Sequence, residues 1–196
     1  MSTTKPVIDY REKEFPMTDN DFQRISDLAG RYTGIVLGIQ KRDMVYGRIA
    51  RRVRKLNLAS FTHYLDFLET NLDQELSNFI NVITTNLTSF FRENHHFEYL
   101  HKTVLKEVVR KNSESKRIRI WSAGCSTGME PYSIAMTLLK YGGFSGWDVK
   151  LLATDLDSEV LDKARAGVYS SSEVDGLEES TIKNYFQRGS DGKEVK

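Results

Sequence analysis

The stretch from Arg117 to Thr154 constrains the fold more than any other part of this sequence. Arg117 to Trp121 has the composition of a short strand, and Ser122-Ala123-Gly124-Cys125-Ser126-Thr127-Gly128 is a turn of small residues. Helical spacing follows from about Glu130 to Tyr141, Asp148 to Thr154 reads as a second strand, and Ser158 opens another helix through Val160, Leu161 and Ala164. Two strands joined through a helix run parallel, because an antiparallel pair would need only a hairpin. The second half of the chain is therefore expected to be α/β.

The same turn carries the first functional hint. Gly124 and Gly128 allow the backbone to approach a ligand closely and aim the first N–H groups of the following helix toward it. The spacing is not that of the dinucleotide-binding GxGxxG, and a glycine turn between strand and helix is often structural. The second strand adds to it by ending in Thr154-Asp155. An acidic residue just past the second strand of such a unit commonly accepts hydrogen bonds from ribose hydroxyls. The alternative is local: Asp155 belongs to the cap of the helix that begins near Asp157 and Ser158.

The first half has a different pattern. Thr18 precedes Phe22, Ile25, Leu28, Ala29 and Tyr32, an apolar set at helical spacing behind a capping residue. A second helix, about Lys41 to Leu56, has Val45, Ile49, Val53 and Leu56 on one stripe and Arg48, Arg51, Arg54 and Lys55 mostly opposite. A third follows Ser60 with Phe61, Tyr64, Leu65 and Leu68, and a fourth carries Leu76, Phe79, Ile80 and Ile83. None of the four can hide its stripe alone, so they are expected to pack as a helical bundle over residues 1–80. A Thr- and Asn-containing link and one more helix (Phe97, Leu100, Val104, Val108) lead into the α/β part, residues 81–196.

Composition narrows the class without naming a function. In 196 residues, 39% hydrophobic and 28% charged residues are the proportions of an ordinary globular chain, and a net charge of +1 suggests no polyanion partner. Apolar runs such as Ile134 to Leu139 are far shorter than a membrane span needs, and Met1 to Phe15 lacks the apolar core of a signal peptide. Cys125, the one cysteine, fits a reducing cytoplasm, and His63, His95, His96 and His101 have no metal-site spacing. No metal is expected. The basic stretch lacks interleaved aromatics and any groove-reading motif, so a nucleic-acid partner is not expected either.

Thr84-Thr85-Asn86-Leu87-Thr88-Ser89-Phe90-Phe91-Arg92 combines short polar groups, paired aromatics and a bidentate cation. By composition alone Phe90 and Phe91 belong to a core and Arg92 to a solvated surface; a bound carboxylate or phosphate would make Arg92 a site. The runs Thr84 to Glu93, Trp121 to Ser133 and Ala153 to Asp157, in that order behind a helical bundle with Lys41-Arg-Asp-Met-Val-Tyr46, resemble the signature segments of the CheR-type chemotaxis receptor glutamate O-methyltransferases. The resemblance extends from about Phe22 to Arg188.

It implies an N-terminal four-helix domain and a Rossmann-like class I methyltransferase domain. The implied enzyme uses S-adenosyl-L-methionine to convert glutamates on chemoreceptor cytoplasmic helices into γ-methyl esters, leaving S-adenosyl-L-homocysteine. Carried over by position, Ala123 and Gly124 shape the turn beneath the cofactor's methionine portion, Glu130 fixes its polar groups and Asp155 holds the ribose. Asn86 and Thr88 line the pocket. Arg92 touches the methionyl end and influences the arriving glutamate, which makes it the catalytic candidate.

Residues 41–55 hold seven Lys/Arg against one Asp, a local charge of +6. In the family this helix faces the receptor, which assigns Arg48, Arg51, Arg52, Arg54 and Lys55 to substrate binding; a merely solvated helix face is the alternative. The sequence departs from the family pattern in two places. Met129 stands where the family usually has Glu, and if that position faces the pocket, Met129→Glu should tighten cofactor binding. The chain stops at Lys196, where the family continues with further strands and an Asn- and Tyr-containing segment. The α/β domain is thus expected to be incomplete at its C-terminus, with an apolar edge and face exposed. A receptor- or cofactor-binding module without turnover is the competing function.

Overall fold

A computed structural model of the chain describes residues 14–189 and 194–195. The chain divides into two compact units, Met1–Thr84 and Thr85–Lys196.

Over its described residues the first unit has four α-helices: α1 (Asp19–Thr33), α2 (Arg42–Lys55), α3 (Phe61–Thr70) and α4 (Leu72–Ile83). A 3₁₀ turn, Ile39–Lys41, precedes α2. Local chemistry sets the starts. The Thr18 hydroxyl accepts from the Asp21 N–H while the Asp21 carboxylate accepts from the Thr18 N–H, a reciprocal cap on α1. The Ser60 hydroxyl accepts from the His63 N–H and caps α3. The apolar stripes meet inside: Ile25 and Ala29 of α1, Val45, Ile49 and Val53 of α2, Phe61, Leu65 and Leu68 of α3, and Phe79 of α4 are fully buried. Arg48 closes the far end of α4 by donating from Nη1 to the carbonyls of Ile83, at 2.9 Å, and Thr84, groups that an α-helix leaves unpaired.

In the second unit, α5 (His95–Tyr99) and α6 (Leu105–Lys111) are one rod joined by a π-helical stretch, Leu100–Val104. The spacing from Phe97 to Val108 predicts an uninterrupted α-helix, and nothing in the local sequence, which has neither Gly nor Pro there, explains the wider turn. The strand β1 (Arg117–Ala123) pairs in parallel with β2 (Asp148–Thr154) across the helix α7 (Met129–Tyr141). β1 extends two residues past Trp121 because Ser122 and Ala123 still find partners in Ala153 and Thr154. α8 (Ser158–Ala166) follows, then β3 (Tyr169–Ser170), α9 (Ser171–Val174) and α10 (Glu179–Tyr185). β3 pairs antiparallel with β4 (Glu194–Val195).

Burial alternates along β1: Ile118 and Ser122 are buried, whereas Arg117, Arg119, Trp121 and Ala123 face outward. The opposed pair Trp121 and Leu152 is 67% and 58% exposed, so this face of the two-stranded sheet has nothing packed over it among the described residues. A second core gathers Phe90, Met129, Met136, Tyr169 and Val174, with Phe90 set edge-on to Tyr169 (4.9 Å) and to Phe186 (5.3 Å). No helix among the described residues is long and apolar enough to cross a membrane.

Candidate functional site

The turn between β1 and α7 is built around the end of β2. The N–H groups of Gly124 and Cys125 both donate to the Thr154 carbonyl, at 2.8 and 2.9 Å, which continues the sheet pairing one step past the strands. The next N–H, of Ser126, donates to Asp155 Oδ2 at 2.7 Å, and the Asp157 N–H donates to Oδ1 at 3.0 Å. Two backbone donors therefore fix the Asp155 carboxylate and leave acceptor capacity on both oxygens, since a carboxylate offers about four lone-pair sites. The helix cap belongs to Asp157, whose Oδ1 accepts from the N–H groups of Glu159 and Val160.

Three residues of the turn need positive φ: Gly124 (80°), Ser126 (48°) and Gly128 (90°). Gly124 has open space where a Cβ would lie, so its requirement is conformational. At Gly128 a Cβ would come within 2.9 Å of the Ala164 Cβ on α8. Gly128 is also the cap of α7 and has no side chain to satisfy the helix's first N–H groups. Thr127 Oγ1 is buried without a hydrogen-bond partner. An uncapped helix start, an unpaired buried hydroxyl and an oriented carboxylate in one turn have the donor and acceptor types that an amino-acid end and a ribose would use.

Of the other predicted site residues, Glu130 and Asn86 bond to residues of the turn. The Glu130 side chain is exposed and accepts from the Ser122 hydroxyl at 2.7 Å, which leans it over the end of β1. Ala123 is exposed at the strand end. Asn86 joins the turn through both its groups: its amide donates to Asp157 Oδ2 at 2.6 Å and its carbonyl accepts from the Ser126 hydroxyl at 3.0 Å. Thr88 is half-buried. Arg92 is exposed and donates from Nη1 to the Leu87 carbonyl at 2.9 Å, closing its own loop. Phe91, next to it, has φ +50° and donates its N–H to the Ser133 hydroxyl on α7.

Met129 turns into the second core and is 3% exposed, so the expectation attached to a pocket-facing residue there does not apply. Burial, then the nearby Asp155 charge, pushes the Cys125 thiol up, which disfavours its thiolate. Among the described residues no group of His, Cys, Asp and Glu is arranged to hold a metal.

In the first unit, the five α2 cations that the resemblance assigns to substrate binding divide between two kinds of work. Arg51, Arg54 and Lys55 are exposed. Arg54 pairs with Glu14 at the surface. Arg48 is half-buried on the end of α4. Arg52 is committed internally: its Nε donates to Glu75 Oε1 at 2.6 Å and its Nη2 pairs with Oε2, while the Tyr64 hydroxyl donates to the same carboxylate at 3.1 Å. With side-chain exposures of 11% and 3%, Arg52 and Glu75 form an interior pair.

Residues 20–84 match the family model described as CheR methyltransferase, all-alpha domain, and residues 86–196 match CheR methyltransferase, SAM binding domain. The chain belongs to the CheR methyltransferase family. Among similar proteins, the chemotaxis protein methyltransferase of Escherichia coli K12 is 48% identical over 174 residues, which is 88% of this chain and 58% of the relative. That of Salmonella typhimurium is 47% identical over the same shares, and chemotaxis protein methyltransferase 2 of Pseudomonas aeruginosa is 42% identical over 96% of this chain and 66% of its own length. The chain thus spans 58 to 66% of the length of these CheR relatives.

Three residues at or beside the turn have roles that the sequence does not assign. Ser126 ties the turn to Asp155 and Asn86, Asp157 both caps α8 and holds Asn86, and Ser122 orients Glu130. The Asp157-Ser158-Glu159 run, in which an Asp can accept from the N–H two residues on, is the available signal for the cap at Asp157. The positive φ at Ser126 has no such signal.

Proposed function

We propose that this chain binds S-adenosyl-L-methionine at the turn between β1 and α7 and methylates glutamate side chains of chemoreceptors in the cytoplasm, giving γ-methyl esters. The observation that carries the reading is the order of the two matched CheR domains, joined to a glycine turn whose neighbouring carboxylate, Asp155, keeps spare acceptor capacity. Asp155 accepts from the ribose hydroxyls. Gly124 gives close backbone approach beneath the amino-acid end, with Ala123 beside it, and Glu130 accepts from the ammonium. Asn86 and Thr88 line one side of the pocket.

When bound, the cofactor supplies a methyl group activated by its sulfonium: the new O–C bond forms as the C–S bond breaks, and the electron pair leaves on sulfur. A glutamate carboxylate needs no general base to attack, so the protein's contribution is orientation and exclusion of water. This suits a site with no His or thiolate nucleophile. Arg92 keeps donors beyond the one given to Leu87, and these bind the methionyl carboxylate and guide the incoming glutamate. The exposed Arg51, Arg54 and Lys55 steer the acidic receptor region, while Arg48 and Arg52 keep α2 in place beneath them.

The test is transfer of a radiolabelled methyl group to chemoreceptor-containing membranes, read as base-labile methanol. Label that appears with the wild-type chain and is lost with Arg92→Ala supports the reading. Receptor binding without ester would make the chain a docking module.

A further inference from the structure

Tyr169 lies 42 residues beyond the turn, yet its hydroxyl donates to the Thr127 carbonyl at 2.7 Å. The residue is 2% exposed, and its ring is held edge-on by Phe90 (4.9 Å) and by Tyr132 (6.2 Å). Lys163, paired with Glu173 at 2.6 Å, covers the ring at 5.7 Å. The first half of the turn is anchored by β2 and Asp155, through the N–H groups of Gly124, Cys125 and Ser126. Its second half, Thr127 and Gly128, meets Tyr169: a Cβ on Gly128 would lie 3.1 Å from the Tyr169 hydroxyl. The phenol thus sits directly under the residues that deliver the chain into α7.

We infer that Tyr169 is a positioning residue for the cofactor turn, fixing the Thr127 peptide plane and with it the α7 N–H groups that receive the cofactor's amino-acid end. The inference rests on the proposed cofactor reading. The peptide whose carbonyl accepts from Tyr169 is the one whose N–H belongs to Gly128 and donates to the Cys125 carbonyl at 3.0 Å, so the Tyr169 bond fixes the carbonyl side of a plane that the turn itself holds only by its N–H. Burial, followed by the neighbouring Tyr132, drives the phenol pKa upward, and the hydroxyl stays a donor at any working pH. Without that hydroxyl a buried carbonyl is left unpaired, and only the Gly128 N–H bond to the Cys125 carbonyl still holds the peptide, which loosens its tilt. Asp155, held by its own two N–H donors, is unaffected.

Tyr169→Phe keeps the ring and its contacts and removes only the donor. Calorimetry compares wild type and Tyr169→Phe with two ligands: S-adenosylhomocysteine, and methylthioadenosine, which keeps the adenine and ribose and lacks the amino-acid end. The expected result is a loss of roughly tenfold on S-adenosylhomocysteine, with methylthioadenosine affinity unchanged. Equal losses on both ligands would mark Tyr169 as general packing and overturn the inference. So would equal binding of S-adenosylhomocysteine by the two proteins, while the cofactor reading stood. Wild type that binds neither ligand would remove the cofactor reading, and the inference with it.

Discussion

Single side chains in this protein are set by their partners more than by their type. Asp21 is buried, which pushes its carboxyl pKa up, but hydrogen bonds from Thr18 and Thr62 and the charge of Arg24 outweigh burial and hold it below the usual carboxylate range. A carboxyl lowered by folding stabilises above its unfolded pKa, and the contribution is lost as pH falls through the folded value. Asp21→Asn should therefore cost about 1 kcal/mol at pH 7, with the gap to wild type shrinking as the pH drops below about 4, read from urea midpoints. Arg52 presents a stronger case. Truncation to Ala strands the Glu75 charge in the interior and is expected to cost about 3–5 kcal/mol, whereas replacing Arg52 and Glu75 together by apolar residues of similar volume should cost far less. Equal losses from the single and double variants would contradict the buried-pair account. This role was not legible in the sequence, where Arg52 is one of seven basic residues in 41–55 and its partner lies 23 positions away. Met129 illustrates the same limit, since its direction depends on Phe90 and Tyr169.

Elements were more legible than side chains, because periodicity and caps act locally. Thr18 and Ser60 mark the starts of α1 and α3, and the apolar spacing of all four bundle helices identifies the faces that are buried. The strand, turn, helix and strand from Arg117 to Thr154 follow the pattern of small residues and β-branched runs. The π-helical stretch within 95–111 and the 3₁₀ turn before α2 were not legible, having no local residue that specifies them. Gly128 tests the turn as an element. Its φ of 90° alone disfavours a side chain by about 1–2 kcal/mol, and contact with Ala164 and Tyr169 adds to that. Gly128→Ala is expected to lower the melting temperature by several degrees. Gly124→Ala, with φ 80° and open space around its Cβ, should cost less. The reverse order in calorimetric melts would mean that α8 does not press on the turn.

At the scale of the whole molecule, the first unit has a core of its own, contributed by all four helices and closed by Arg48 on α4. Residues 14–84 alone should therefore melt cooperatively, with helical circular dichroism that is lost in a single transition; a gradual, non-cooperative loss would show that the bundle needs the rest of the chain. The second unit concentrates the chemistry at one end of its parallel strand pair, where Asp155, the turn and α7 converge. Under the proposed function this end binds S-adenosyl cofactors. Its most direct test is calorimetric titration of S-adenosylhomocysteine into the 196-residue chain beside Asp155→Ala. Saturable one-to-one binding that the substitution weakens at least tenfold is the predicted result, and a folded wild-type chain that gives no binding heat and no thermal stabilisation would contradict it.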